Sequence, residues 1–191
     1  MKMIEDTELK GMLDFLRAAD RLKDTTRTSW TSRGAQESVA AHTWRLCLMA
    51  MLFAREFPGI DVAKLLRICI VHDLGEAVSG DISAKLQEGQ PPKAEQERAD
   101  LLQLAAPLPV PMREEIIGLW EEYEAANSPE AKLAKALDKL ETIMQHNQGD
   151  NPEDFDYRFN LQYGRQHTVG SALIERVREI LDRETEERAS S

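Results

Sequence analysis

Cysteine is scarce in this chain. Its 191 residues hold two, Cys47 and Cys69, both inside apolar patterns (LCLMAM and LRICIVH), so they read as small buried hydrophobes. No disulfide framework can be built on them, and neither has the neighbouring base that a thiol nucleophile needs. Positive charge is in deficit as well: 24 Lys and Arg against 34 Asp and Glu leave a formal net charge of -10. Such a surface repels polyanions, which excludes long nucleic acid and anionic membrane as partners. A small anionic ligand would need a local arginine or a metal ion. No apolar run approaches the roughly 20 residues of a membrane span. The start MKMIEDTELK lacks the apolar core of a secretory signal, which points to the cytoplasm. No glycine-rich loop follows a strand, so a P-loop enzyme is excluded.

What the chain does have is helical periodicity. Leu9, Met12, Leu13 and Leu16 recur at i, i+3, i+4 and i+7, predicting an amphipathic helix over about 6–23. The polar stretch Asp24 to Glu37 reads as a loop carrying Arg27, Trp30 and Arg33. Ser38 suits the N-cap of a second helix that aligns Val39, His42, Leu46, Met49 and Phe53 and stops at Pro58-Gly59. Asp61 opens a third, whose run LLRICIV is apolar almost all round and therefore central. Further helices fit about 93–106, 111–126 and 129–147, with Pro111 and Pro129 in first turns. A last helix fits about 166–186, before a frayed tail at 187–191. No segment alternates with period two over a convincing length. The expectation is one all-α domain over residues 1–191, its core at about 10–165.

Chemistry concentrates in His72-Asp73-Leu74-Gly75-Glu76 and the following Gly80-Asp81. On a continuous helix His72 and Asp73 could converge on an ion beside the axis, and Glu76 would share the His72 face. Imidazole with carboxylates suits Mn, Fe, Co, Ni or Zn. The competing reading is a polar helix C-terminus. His42 lies on the apolar stripe of its helix, where a histidine bonded to a carbonyl is the ordinary case. Asp138, in KALDKLET, flanks a stripe of Leu133, Leu137, Leu140 and Met144; alone it suggests a surface salt bridge with Lys135 or Lys139. Together His42, His72, Asp73 and Asp138 could complete one mononuclear site. The helix faces Lys93 to Arg98 and Glu121 to Glu124 read as solvated, and neither His146 nor His167 has an evident partner.

His42, the doublet His72-Asp73 and the distant Asp138 follow the H…HD…D pattern of HD-domain metal-dependent phosphohydrolases. With the flanks ESVAAHTWRL, VHDLGEAVSGDI and EAKLAKALDKLE, the chain resembles the HD-domain 5′-deoxynucleotidases over about residues 10–165. That resemblance implies a compact helical bundle with the metal site between central helices. It implies one divalent ion (Co, Mn, Fe, Ni, Zn or Mg) on His42, His72, Asp73 and Asp138. Glu76 would orient or deprotonate the attacking water, and Asp81 would contact the sugar and assist the leaving oxygen. Arg27 with Trp30 corresponds to the family's phosphate-orienting pair, with Arg33 as a rival, and Ser83 falls in the sugar-binding turn. The substrate would be a deoxyribonucleoside 5′-monophosphate and the assembly a homodimer. Alternatives are another nucleotide (a triphosphate, a cyclic nucleotide or an alarmone), a non-catalytic nucleotide- or metal-binding module, and a purely structural helical protein.

Overall fold

In the computed structural model, which describes residues 4–81 and 93–190, helix α1 spans Asp6–Ala19. The chain then tightens into a 3₁₀ turn, Asp20–Lys23. Leu9, Leu13 and Leu16, the periodic leucines, face solvent, and buried Gly11 marks the inner side. The reason is steric: a Cβ on Gly11 would overlap the Pro107 carbonyl, so α1 rests on the chain at Pro107 through its smallest residue. Phe15, Ala18 and Ala19 pack against a buried cluster that includes Leu22, Val39 and Leu101.

The expected loop contains a hairpin. Strand β1, Thr26–Trp30, pairs antiparallel with β2, Gln36–Ser38, with a register shift between its two ends. Period-two analysis misses it because the strands are short and the inward positions Arg27 and Ser29 are polar. Helix α2, Val39–Phe53, starts where Ser38 Oγ accepts the Ala41 N–H at 3.2 Å. Helix α3, Val62–Val71, starts where Asp61 accepts from Lys64 N–H at 3.1 Å. It is not buried all round, since Ile70 and Val62 are exposed.

The helix path does not continue unchanged beyond Val71. Leu74, Glu76, Ala77 and Val78 donate to carbonyls three residues back, a 3₁₀ pattern leading into the short helix α4, Glu76–Ser79. In that pattern residues three apart share a face. Glu76 is therefore brought round to the side of Asp73, and with His72 the two line a common cavity. The proposed sugar-turn residue Ser83 lies outside the described residues.

Helix α5 is Lys93–Ala105, α6 is Val110–Ala125 and α7 is Pro129–Gln148. Ser128 caps α7 by accepting the Ala131 N–H at 3.1 Å. The last helix, α8, spans Ala172–Arg188. It begins later than the sequence predicts, because 165–167 form a separate 3₁₀ turn and Gly170 turns with φ +86°.

The core has two parts. Leu46, Leu65, Ile68, Leu137, Leu140 and Ile143 unite α2, α3 and α7. Val39, Val71, Leu74, Leu101 and Trp120 tie α4 and α5 to the rest. Cys47 is half-buried and Cys69 buried, both free, and burial pushes both thiols above their ordinary range. Among the described residues, no helix is long and apolar enough to cross a membrane.

Candidate active site

His42 projects from α2, His72 and Asp73 from the end of α3, and Asp138 from the middle of α7. The packing of those three helices brings the four side chains together. His72 Nε2 lies 3.0 Å from Asp73 Oδ2 and 3.9 Å from Asp138 Oδ1. His42 Nε2 lies 3.2 Å from Asp138 Oδ1 and 3.8 Å from Asp73 Oδ2. The imidazoles are buried and their ring centroids stand 5.5 Å apart.

Each ring is held from behind. His72 donates its Nδ1–H to the Cys69 carbonyl at 2.8 Å, and His42 Nδ1 meets Glu141 Oε2 at 2.5 Å. With Nδ1 protonated on each ring, both Nε2 atoms face the two aspartates, and neither makes a hydrogen bond of good geometry. Two buried nitrogens left over beside two carboxylates form a donor set that fits a divalent cation. His42, His72 and Asp73 offer donor atoms within 4.8 Å of one another.

Electrostatics agree with that geometry. Burial alone would raise the Asp73 carboxyl; His72, His42 and Arg27 outweigh it and hold the group well below the usual range. Asp138 behaves alike, with burial overcome by Lys139, His42 and His72. On His42 burial and Arg27 oppose protonation, yet Glu141 and Asp138 push its pKa up to about 10. In each case the packed structure keeps the carboxylates ionised.

The cluster opens into a cavity of about 590 Å³, of a size that takes small-molecule ligands. Arg27, Trp30, Glu76 and Asp81 all line it. Arg27 Nη1 sits 3.4 Å from Asp73 Oδ2, and its Nη2 donates to Thr142 Oγ1 at 3.0 Å. Glu76 is buried and Asp81 half-buried just after Gly80, whose φ of +85° turns the chain back toward the cavity. Trp30 is half-buried, packing edge-on against Phe155 with centroids 6.1 Å apart. Arg33 is exposed in the hairpin turn and does not line the cavity. The structure thus separates the two arginines that the sequence left as rivals: strand alternation carries Arg27 inward, and the turn carries Arg33 out.

The HD-domain family matches residues 19–178. The chain belongs to it. Mouse 5′-deoxynucleotidase HDDC2 is 35% identical over 183 residues, covering 94% of this chain and 90% of that protein. The human 5′-deoxynucleotidase HDDC2 is 37% identical over 138 residues, covering 71% and 67%. This HD-domain chain is therefore a hydrolase of the 5′-deoxynucleotidase family. The crystal structure of a predicted metal-dependent phosphohydrolase from Magnetospirillum magnetotacticum shares the fold, with a TM-score of 0.78 at 24% identity over 97% of both chains. A conserved hypothetical protein from Pyrococcus furiosus gives a TM-score of 0.70 at 29% identity, covering 90% of this chain and 98% of its own.

Several residues of the HD site escape sequence reading. Tyr123 sits in the run Glu121 to Glu124, which looks like a solvated face, yet it is buried and donates its hydroxyl to Asp138 Oδ2 at 2.8 Å. Lys139 Nζ meets the same oxygen at 2.8 Å. The salt bridge expected of Asp138 exists, but it is buried and leaves Oδ1 facing the histidines. His146 and His167 line the cavity, and His146 Nδ1 has a partner after all, Asn160 Oδ1 at 2.7 Å. The segment around Phe155, Phe159 and Tyr163 adds an aromatic wall. Only the spacing of Glu141, three residues after Asp138, could have flagged its inward face.

Proposed function

We propose that this HD-domain protein hydrolyses deoxyribonucleoside 5′-monophosphates to deoxynucleosides and phosphate. The observation that carries the proposal is the convergence of His42, His72, Asp73 and Asp138 at the base of a cavity that Arg27 and the last three of them line. The substrate class is supported by relatives named 5′-deoxynucleotidase at about 35% identity.

In this reading His42, His72, Asp73 and Asp138 hold one divalent ion. When bound, such an ion neutralises phosphate charge and can bring the pKa of a water from about 15.7 toward 7. Arg27 binds the phosphate oxygens through its planar fork, which a lysine cannot copy. Its guanidinium is held charged: burial opposes this, but Asp73, Glu141 and Asp138 prevail. Glu76 orients the attacking water and takes its proton. Asp81, more open to solvent, faces the sugar and supplies a proton to the departing 5′ oxygen. Trp30 gives the sugar or base a flat apolar wall.

Residues 1–191 act as one unit in this proposal, and the substrate places it in the cytoplasm with other nucleotide chemistry. A homodimer belongs to the same reading. It is supported by the exposed Trp44, Leu48, Met51 and Leu52 on α2, an apolar stripe that suits a second copy. A monomer in sedimentation velocity would remove that part.

The test is phosphate release from a panel of deoxy- and ribonucleoside 5′-monophosphates, using metal-stripped protein with Co, Mn, Mg or Zn restored. Turnover that returns with metal and favours deoxy substrates supports the proposal. A Glu76→Ala variant should bind metal and lose turnover. Silence of the wild type across the panel and all four metals would overturn it.

A further inference from the structure

Behind His42 lies a second acidic cluster. Glu37, His42 and Glu141 bring donor atoms within 4.8 Å of one another, all buried. This cluster already has its cation. The Arg45 guanidinium sits 2.6 Å from Glu141 Oε1 through both Nε and Nη2, and its Nη2 lies 3.9 Å from Glu37 Oε1. The other oxygen of each carboxylate points toward the active site. Glu141 Oε2 meets His42 Nδ1 at 2.5 Å. Glu37 Oε2 accepts from Ser29 Oγ at 2.9 Å and lies 3.7 Å from Arg27 Nε.

A continuous line of alternating charge therefore runs Arg27, Glu37, Arg45, Glu141, His42. It crosses β1, β2, α2 and α7, and its ends are the group assigned to phosphate and a group assigned to the metal. The two carboxylates balance the two guanidiniums along the line. Buried ion pairs of this kind are poor sources of stability, because desolvation consumes most of their attraction. Their value here is geometric. A carboxylate on Nδ1 selects the tautomer whose Nε2 lone pair faces the cation site, and it raises the basicity of that nitrogen.

We propose that Glu141 and Glu37, joined through Arg45, are positioning residues with separate duties. Glu141 fixes the ring and tautomer of His42 for the metal, and Glu37 fixes the Arg27 fork for phosphate. The proposal rests on the assignment of His42 and Arg27 made above.

Two readouts that need no nucleotide test it: zinc affinity by chelator competition, and binding of inorganic phosphate to the metal-saturated protein. Glu141→Gln is expected to weaken zinc by about 10- to 100-fold, with phosphate binding at saturating metal unchanged. Glu37→Gln should do the reverse, and Arg45→Met should weaken both. Should Glu141→Gln strand the Arg45 charge and fail to fold, Arg45→Gln/Glu141→Gln removes both charges and must show the same zinc loss. Zinc affinity that survives in either form overturns the proposal. So does a loss of both affinities in equal proportion in the two glutamate variants, which is the signature of a general packing role. A wild type that binds zinc and phosphate but hydrolyses no 5′-nucleotide refutes the activity and leaves the positioning role standing.

Discussion

Gly75, between the His72-Asp73 pair and Glu76, gives a test in which two physical effects carry opposite signs. Its backbone, at φ -59° and ψ -29°, is ordinary right-handed helix. On conformational grounds alone Gly75→Ala should therefore stabilise the protein by about 0.4–1 kcal/mol, through a less disordered unfolded chain. The packing says otherwise. A Cβ at Gly75 would stand 2.8 Å from the Glu97 carbonyl oxygen and 3.5 Å from Leu101 N, both backbone atoms of α5. Ordinary contact begins at 3.4 Å, so α5 would have to retreat by the difference, about 0.6 Å. Leu74 and Ala77 are packed into the same cluster as Leu101 and Leu104, so that retreat strains a filled core. Overpacking of this kind costs about 1–3 kcal/mol.

The clash should win. The expected result is a melting temperature lower by a few degrees, at about 2–4 °C per kcal/mol for a chain of this size. Activity should fall about tenfold, because Glu76 moves with α4 and misplacement by about 1 Å can cost about a hundredfold. Gly118 is the matched control: it is helical and exposed, with nothing within 4 Å of the added Cβ. Gly118→Ala should raise the melting temperature slightly. Thermal denaturation of both metal-stripped proteins, with phosphate release assayed in parallel, decides the matter. If Gly75→Ala proves as stable as Gly118→Ala, the close approach of α4 and α5 does not constrain this motif and the reasoning fails.

Other perturbations have equally definite outcomes. Arg27→Lys keeps the charge but loses the fork, and kcat/KM should drop about a hundredfold, the scale on which misplaced substrate is penalised; zinc affinity should not change. Tyr123→Phe removes the hydroxyl that Asp138 Oδ2 accepts; chelator competition should show zinc bound about tenfold more weakly, and normal binding would deny the tyrosine a role in orienting that carboxylate. Acid and base should act differently on the metal-stripped protein, as urea melts across pH would show. His42 is raised from 6.5 to about 10, so its stabilisation is complete below pH 6.5 and is lost as pH climbs through 10. Asp73 and Asp138 are depressed from 3.8; theirs is complete above that value and fades as pH falls further. Metal loading should flatten the alkaline limb, because a metal-bound histidine has already given up its proton.

The sequence by itself determined the helical class, the caps at Ser38, Asp61 and Ser128, and the residues of the central cluster. Helical period and cap chemistry are local properties, and acids and histidines on apolar faces stand out because burying them is costly. The tertiary structure alone decided which of two nearby arginines enters the cavity, and it turned the α1 leucines outward. The hairpin depends on a pairing that five and three residues do not announce. The helix around Gly11 is oriented by a contact with Pro107, far along the chain, and not by its own amphipathic pattern. Tyr123, Glu37, Arg45 and Glu141 were hidden for a related reason. Each carries an ordinary polar group at an ordinary helix or strand position. Its meaning arises only when α2, α6, α7 and the hairpin meet and the low dielectric between them makes every unpaired charge expensive.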